Sequence, residues 1–242
     1  MLEGLKRWFS GSVAPQDEAW EDVTEWAKAR QCTLRSVSGT GFVIDGRHAD
    51  TDWRLEWGPS QRPYVSGNEL RLRAELGLKS DLQWVVMNRE LQEAMEKAVF
   101  EQYVEGVQTR IDNQTPPEMR WLVMFTKLSA SELGPLSQRY TALASIKSWL
   151  QNWLQGPMSA ALEAYPLAAS TPLVIMASRG RMTLRTGLEQ PELKAMQSAL
   201  RLFETALREC ARMARAKLES APASDPPSEG PGGTAQDDPR PG

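Results

Sequence analysis

Trp53-Arg54-Leu55-Glu56-Trp57 and Glu69-Leu70-Arg71-Leu72-Arg73-Ala74-Glu75-Leu76 decide the fold class of this chain. In both stretches apolar and charged residues alternate. Because successive side chains of a strand point to opposite faces, each stretch has one apolar and one charged side, the pattern of half-buried antiparallel strands.

Working outward, Thr33 to Val37, Phe42 to Asp45 and Leu82 to Met87 are further short strand-like runs. They are separated by Gly39/Gly41, Gly46, Gly58-Pro59, Gly67-Asn68 and Gly77, a rhythm that predicts a meander of about five strands. Leu82-Gln83-Trp84-Val85-Val86-Met87 is apolar on both sides, which suits a central or helix-covered strand. Before the meander, Trp20, Val23 and Ala27 recur at helical spacing; after it, Asn88 stands where a helix cap belongs, ahead of the stripe Leu91, Met95, Ala98 and Val99.

The second half reads less evenly. Val107, Thr109 and Ile111 suggest another strand. Thr115-Pro116-Pro117-Glu118 has the form of a capping box opening a helix, yet Trp121 to Thr126 is equally readable as a buried strand, so 118–128 is left open between the two. Leu136, Tyr140, Leu143, Leu150 and Leu154 align on one helical face and predict a long helix over 136–154. Met158 to Ala164 predicts a short helix, and Leu173 to Ser178 with Arg181 to Arg185 a hairpin around Arg179-Gly180. From Pro191 to about Leu218, Leu193, Met196, Leu200, Phe203, Leu207, Cys210 and Ala214 form a seam of alternating threes and fours, as in a heptad repeat.

The expected class is therefore α+β: a largely antiparallel sheet or sheets packed on several helices, with a long amphipathic C-terminal helix and a disordered tail. Residues 1–16 read as a loosely ordered leader, 17–218 as the globular body and 219–242 as an acidic Pro/Gly-rich tail. Strands followed by helix occur in both 17–103 and 104–218. That order raises a two-lobed duplication, with element order as its sole support.

Charge bounds function. The net charge is −3, but residues 219–242 hold five acids against Arg240, so the body is close to neutral and lacks the broad cationic footprint that nucleic acid demands. No apolar run approaches the ~20 residues that span a bilayer, and the N-terminus lacks a secretory signal's apolar stretch, so the cytoplasm is expected. Leu2, Leu5, Trp8 and Phe9 make too short an amphipathic segment to predict membrane contact. Cys32 and Cys210 stand alone, without the spacing of a zinc site or disulfide framework. Alanine, arginine and tryptophan usage is bacterial in style.

Two groups of residues could carry chemistry. Arg54, Arg71 and Arg73, extended by Arg62, could receive a carboxylate or phosphate on a partner; against this, Glu56, Glu69 and Glu75 balance the strand arginines and suit cross-strand pairing. Asp45, His48, Asp50 and Asp52 include the sole histidine and are the nearest thing to an acid/base or metal cluster, but they match no metal-loop spacing and equally describe a polar turn. Ser38-Gly39-Thr40-Gly41 lacks the third glycine and following helix of a dinucleotide site.

The reading that follows is a non-enzymatic protein-binding or adaptor module without cofactor or metal. A hydrolase or transferase using the Asp45–Asp52 cluster, with or without a divalent metal, is the alternative. The expected partner is another protein, or a second copy through the 193–214 seam.

Overall fold

The computed structural model of the chain describes residues 20–37, 41–77, 81–104, 115–168 and 170–219. The expected leader, the tail and the strand at Val107–Ile111 lie outside them. The elements run α1 (Glu21–Ala29), β1 (Thr33–Val37), β2 (Gly41–His48), β3 (Thr51–Pro59), β4 (Asn68–Glu75), β5 (Trp84–Asn88), α2 (Arg89–Val104), α3 (Pro117–Met124), β6 (Thr126–Lys127) and α4 (Ala130–Leu133). A 3-10 turn at Gly134–Gln138 leads to β7 (Tyr140–Ala144), α5 (Lys147–Trp153), α6 (Pro157–Ala164), β8 (Leu173–Ser178), β9 (Arg181–Gly187) and α7 (Leu193–Glu219).

All nine strands join one antiparallel sheet in the order β1-β2-β3-β4-β9-β8-β5-β7-β6, confirming the α+β class. The two opening stretches pair as their alternation demands: Trp53 faces Ala74, Leu55 faces Leu72 and Trp57 faces Leu70, all on the buried side. The halves of the sequence interleave, since β4 is bonded to β9 and β5 is inserted between β8 and β7.

One face of the sheet carries the main core. There Phe42, Ile44, Leu55, Leu72, Trp84 and Leu184 meet α1, α5, α6 and α7. The seam of α7 is buried within the chain, with Met196, Leu200, Phe203, Leu207 and Cys210 all at 3% exposure or less. A helix with so wide an apolar face covers a sheet. Indole rings fill this side: Trp84 stacks on Trp149 and lies 4.3 Å from Trp153, while Trp20, Phe42 and Trp57 form a second group. The other face has a smaller core, where Val85, Met87, Leu143, Val174 and Met176 pack on Leu91 and Met95 of α2 and Met119, Trp121 and Leu122 of α3. Only β5, β7 and β8 are covered in this way among the described residues.

Four local expectations change. The helix expected over 136–154 is a 3-10 turn, a strand and a short helix. Its apolar residues are buried as expected, but Tyr140, Ala142 and Ala144 face the large core and Leu143 the small one, because β7 lies between β5 and β6 and is covered on both sides. A central strand covered on both faces loses its alternation and imitates a buried helix.

Asn88 ends β5, and its Oδ1 accepts the Leu173 N–H at 2.9 Å, tying β5 to β8. The ambiguous stretch is both things in turn: helix to Met124, then the two-residue β6. Its capping box does not form, because Glu118 is turned into the protein.

Gly46 marks no turn. β2 continues through it to His48, and Trp53 directly across lays its indole where a Cβ at position 46 would be. Glycine is needed there so that the ring can approach the backbone.

Candidate functional site

Over β1 to β4 and β9, the face opposite the main core carries the charged residues of the alternating strands. Antiparallel register sets Glu56 beside Arg71 and Arg71 beside Arg185, with Arg54 beside Arg73 and Glu75 beside Arg181. Directly opposed residues lie about 4.5–5.5 Å apart at Cβ, so each arginine can also reach diagonally to a neighbouring carboxylate. Arg71 pairs with both Glu56 and Glu69, Arg73 Nη2 reaches Glu56 Oε1 at 2.6 Å, and Arg185 Nη1 donates to Glu69 at 2.7 Å.

Asp45 on β2 accepts from Arg54 at 2.6 Å and also pairs with Arg35. Partial burial pushes the Asp45 carboxyl up, but hydrogen bonds from Arg54 and Arg35 outweigh it and hold the pKa below its ordinary value.

Arg62, Arg54, Arg71 and Arg73 are thus already committed within the chain. Arg62 Nε donates to Glu118 Oε1 at 2.6 Å, and Tyr64 Oη donates to the same oxygen at 2.5 Å. Glu118 is fully buried, and these two donors satisfy its Oε1. Burial, and next the Glu118 carboxylate, push the Tyr64 phenol far above its ordinary pKa, so it stays protonated and donates.

Where this lattice meets α3, a cleft of about 810 Å³ opens between the 60–65 loop, the start of α3 and the β8–β9 hairpin. Arg62, Arg120, Arg179 and Arg181 line it, with Thr115, Gln61, Gln83, Ser178 and Thr183; its apolar wall is Pro63, Pro116, Pro117, Trp121 and Met176. Among the described residues no carboxylate lines it. Arg62 and Arg181 reach Glu118 and Glu75 outside the lining, whereas Arg120 and Arg179 have no carboxylate partner among the described residues. Arg120 Nε is buried without a hydrogen-bond acceptor. Arg181 also lines a neighbouring shallow trough of about 670 Å³ floored by Arg47, Arg54, Arg73 and three carboxylates, Asp45, Asp52 and Glu75.

The acid/base cluster comes together only in part: Asp45 and Asp52 line the same trough, and His48 and Asp50 are not among its lining. Asp45 lies on the charged face, His48 Nδ1 is 3.8 Å from Glu204 Oε1 of α7 on the opposite face, and Asp50 is exposed in the β2–β3 turn. The Asp52 side chain is 83% exposed, 3.6 Å from Arg47. Among the described residues no group of three or more His, Cys, Asp or Glu side chains is placed to hold a metal ion.

The described tryptophans are buried except Trp26 and Trp149, which are half-buried; Trp121, at 4% exposure, walls the cleft. Sequence reasoning missed Arg185, Arg120 and Arg179. Arg185 carried a signal, since Arg181, Thr183 and Arg185 alternate with buried Met182 and Leu184 as the residues of β3 and β4 do. Arg120 and Arg179 carried none, because only the tertiary fold sets them around one space.

No protein-family model matches the chain, and no curated protein matches its sequence. Among solved structures, the crystal structure of the mycobacterial trehalose monomycolate transport factor A, TtfA, is similar at 10% identity and a TM-score of 0.45, over 81% of this chain and 94% of that one. No described helix is long and apolar enough to cross a membrane.

Proposed function

We propose that the protein is a non-enzymatic, cytoplasmic binding module that docks another protein on the charged face of β1 to β4 and β9. The observation that carries this reading is that, among the described residues, no helix covers that face and the arginine-lined cleft beside it has no carboxylate in its lining. A half-covered sheet with a rigid, internally paired polar surface presents fixed charges at no further ordering cost, which favours specific recognition and steered encounter.

The residues to perturb follow from exposure. The Arg54 and Arg73 side chains are 40% and 38% exposed, while that of Arg71 is 12% exposed and holds two glutamates. The double substitution Arg54→Ala, Arg73→Ala is expected to keep the thermal unfolding midpoint within a few degrees, as exposed pairs contribute little. The same variant is expected to lose the partner that wild type captures by cross-linking in cells. Capture that survives in a folded variant refutes docking on this face.

A further inference from the structure

The cleft between α3 and the β8–β9 hairpin is built unlike the rest of the charged face. Along the strands every described arginine meets a carboxylate; in the cleft four guanidinium groups from three elements, those of Arg120 and Arg179 without a carboxylate partner among the described residues, surround one space with no acid among its described lining residues. Guanidinium groups only donate, so the lining demands an acceptor-rich, anionic occupant. A volume of about 810 Å³ is the size that takes a drug-sized ligand or a few residues of chain, well beyond one phosphate group.

The wall of Pro116, Pro117, Trp121 and Met176 adds a requirement for apolar contact beside the charges. On α3, Val123 and Met124 are 60% and 67% exposed and follow Arg120 by three and four positions, continuing that apolar edge beyond the cleft.

Arg179 supplies the second line of argument. It occupies the first position of the two-residue turn Arg179-Gly180, with φ of 53° and 77°, a turn that ordinarily selects Asn or Gly. Placing a long cationic side chain in left-handed backbone costs roughly 1–2 kcal/mol. That cost sets a guanidinium on the cleft rim, and backbone cost at a rim is a pointer to use.

We propose that this cleft recognises an acidic segment of a partner protein, with carboxylates on Arg120 and Arg179 and an apolar side chain against Trp121 and Pro117. It rests on the protein-binding reading above and names the partner's chemistry.

The test uses the full chain and a fluorescein-labelled synthetic peptide of four Asp-Glu-Leu repeats, read by anisotropy. Wild type binds this peptide, and a version with Asn-Gln-Leu repeats does not. Arg120→Glu with Arg179→Glu raises Kd by more than about tenfold, and Arg179→Glu alone, which exchanges one exposed long side chain for another on the same turn, raises it several-fold. Raising salt weakens binding in wild type more than in the double variant.

Equal affinity of wild type and a folded Arg179→Glu protein overturns the proposal. So does displacement of the peptide by inorganic pyrophosphate at equal concentration, which makes the cleft a small-anion site, or tighter binding to phosphatidylglycerol vesicles than to the peptide. If a partner captured in cells stays bound to Arg179→Glu but is lost from Arg54→Ala, Arg73→Ala, the cleft proposal fails and the docking face stands. If capture survives Arg54→Ala, Arg73→Ala but is lost with Arg179→Glu, only the docking face fails.

Discussion

Strands β5, β7 and β8 are covered on both faces, whereas β1 to β4 and β9 are covered by helices on one. The first group meets the demand for burial with side chains alone: Trp84, Val85, Val86, Met87 and Leu143 are all at 1% exposure or less. The second group buries alternate residues and binds the others to one another through ion pairs, so that Glu56, Glu69 and Arg71 are largely shielded with no helix above them among the described residues. The comparison teaches where function can reside. A face closed by packing has no free chemistry, whereas a face closed by mutual pairing keeps its charges at the surface, and its edge is where the pairing runs out.

The comparison breaks most sharply at Trp84. Its indole packs against both Trp149 and Trp153 with no exposure, so Trp84→Ala removes a large aromatic from the core and should cost roughly 3–5 kcal/mol in urea unfolding. A loss below about 1 kcal/mol contradicts the both-faces packing described for β5.

On the charged side a buried ion pair reaches the same scale. Arg62→Ala strands the Glu118 carboxylate, fully buried with Oε2 already unpartnered and only Tyr64 left to donate, and should cost about 3 kcal/mol. Arg73→Ala removes a partly exposed partner of Glu56, which keeps Arg71, and should cost no more than about 1 kcal/mol. Equal losses for the two arginines defeat the distinction between a buried anchor and a surface lattice.

These residues also mark how far the sequence is legible. The register of β3 and β4 follows from alternation because one face is wet, and a one-residue slip exposes Trp53, Leu55 and Trp57 together. The charge count within those strands indicated pairing correctly, yet left Arg62 without a counterion, because its partner is Glu118, more than fifty positions away and disguised as a helix cap. β7 was illegible for the opposite reason. Covered on both faces, Tyr140–Ala144 shows no period of two, and its leucines and tyrosine fall by coincidence on a helical stripe. The cleft was hidden because its arginines come from three elements that only the long-range strand order brings together.

Thiol chemistry sharpens the contrast between covered and open surfaces at smaller amplitude. Cys210 on α7 is 1% exposed, and burial pushes its thiol up to about 12, so it should stay unmodified by a disulfide reagent at neutral pH until the protein unfolds. Cys32, half-buried beside α1, should react in the native state, more slowly than a free thiol because burial raises its pKa as well. Two fast thiols exclude internal packing of the α7 seam and return it to the surface.

Acid titration is the finest comparison, since each half of the structure holds a depressed carboxylate. Glu132 on α4 closes a capping box with Ser129; the bond from Lys147, then those from the Ser129 N–H and hydroxyl, lower its pKa to about 2. On the charged face, Asp45 is lowered by Arg54 and Arg35 against the opposing effect of burial. A folded-state pKa below the unfolded one means that stabilisation is complete above the unfolded value and is lost as pH falls through the folded one. For Glu132 the window runs from its ordinary 4.5 down to about 2, and for Asp45 it lies below its ordinary 3.8. Glu132→Gln and Asp45→Asn should each flatten the fall of the urea midpoint between pH 5 and pH 2.5 while lowering the midpoint at pH 7. Added salt should erase the difference for both, because neither carboxylate is sheltered from solvent. A salt-resistant effect at Asp45 alone indicates that the charged face is more closed than its exposure suggests, and moves the open surface outward to the cleft.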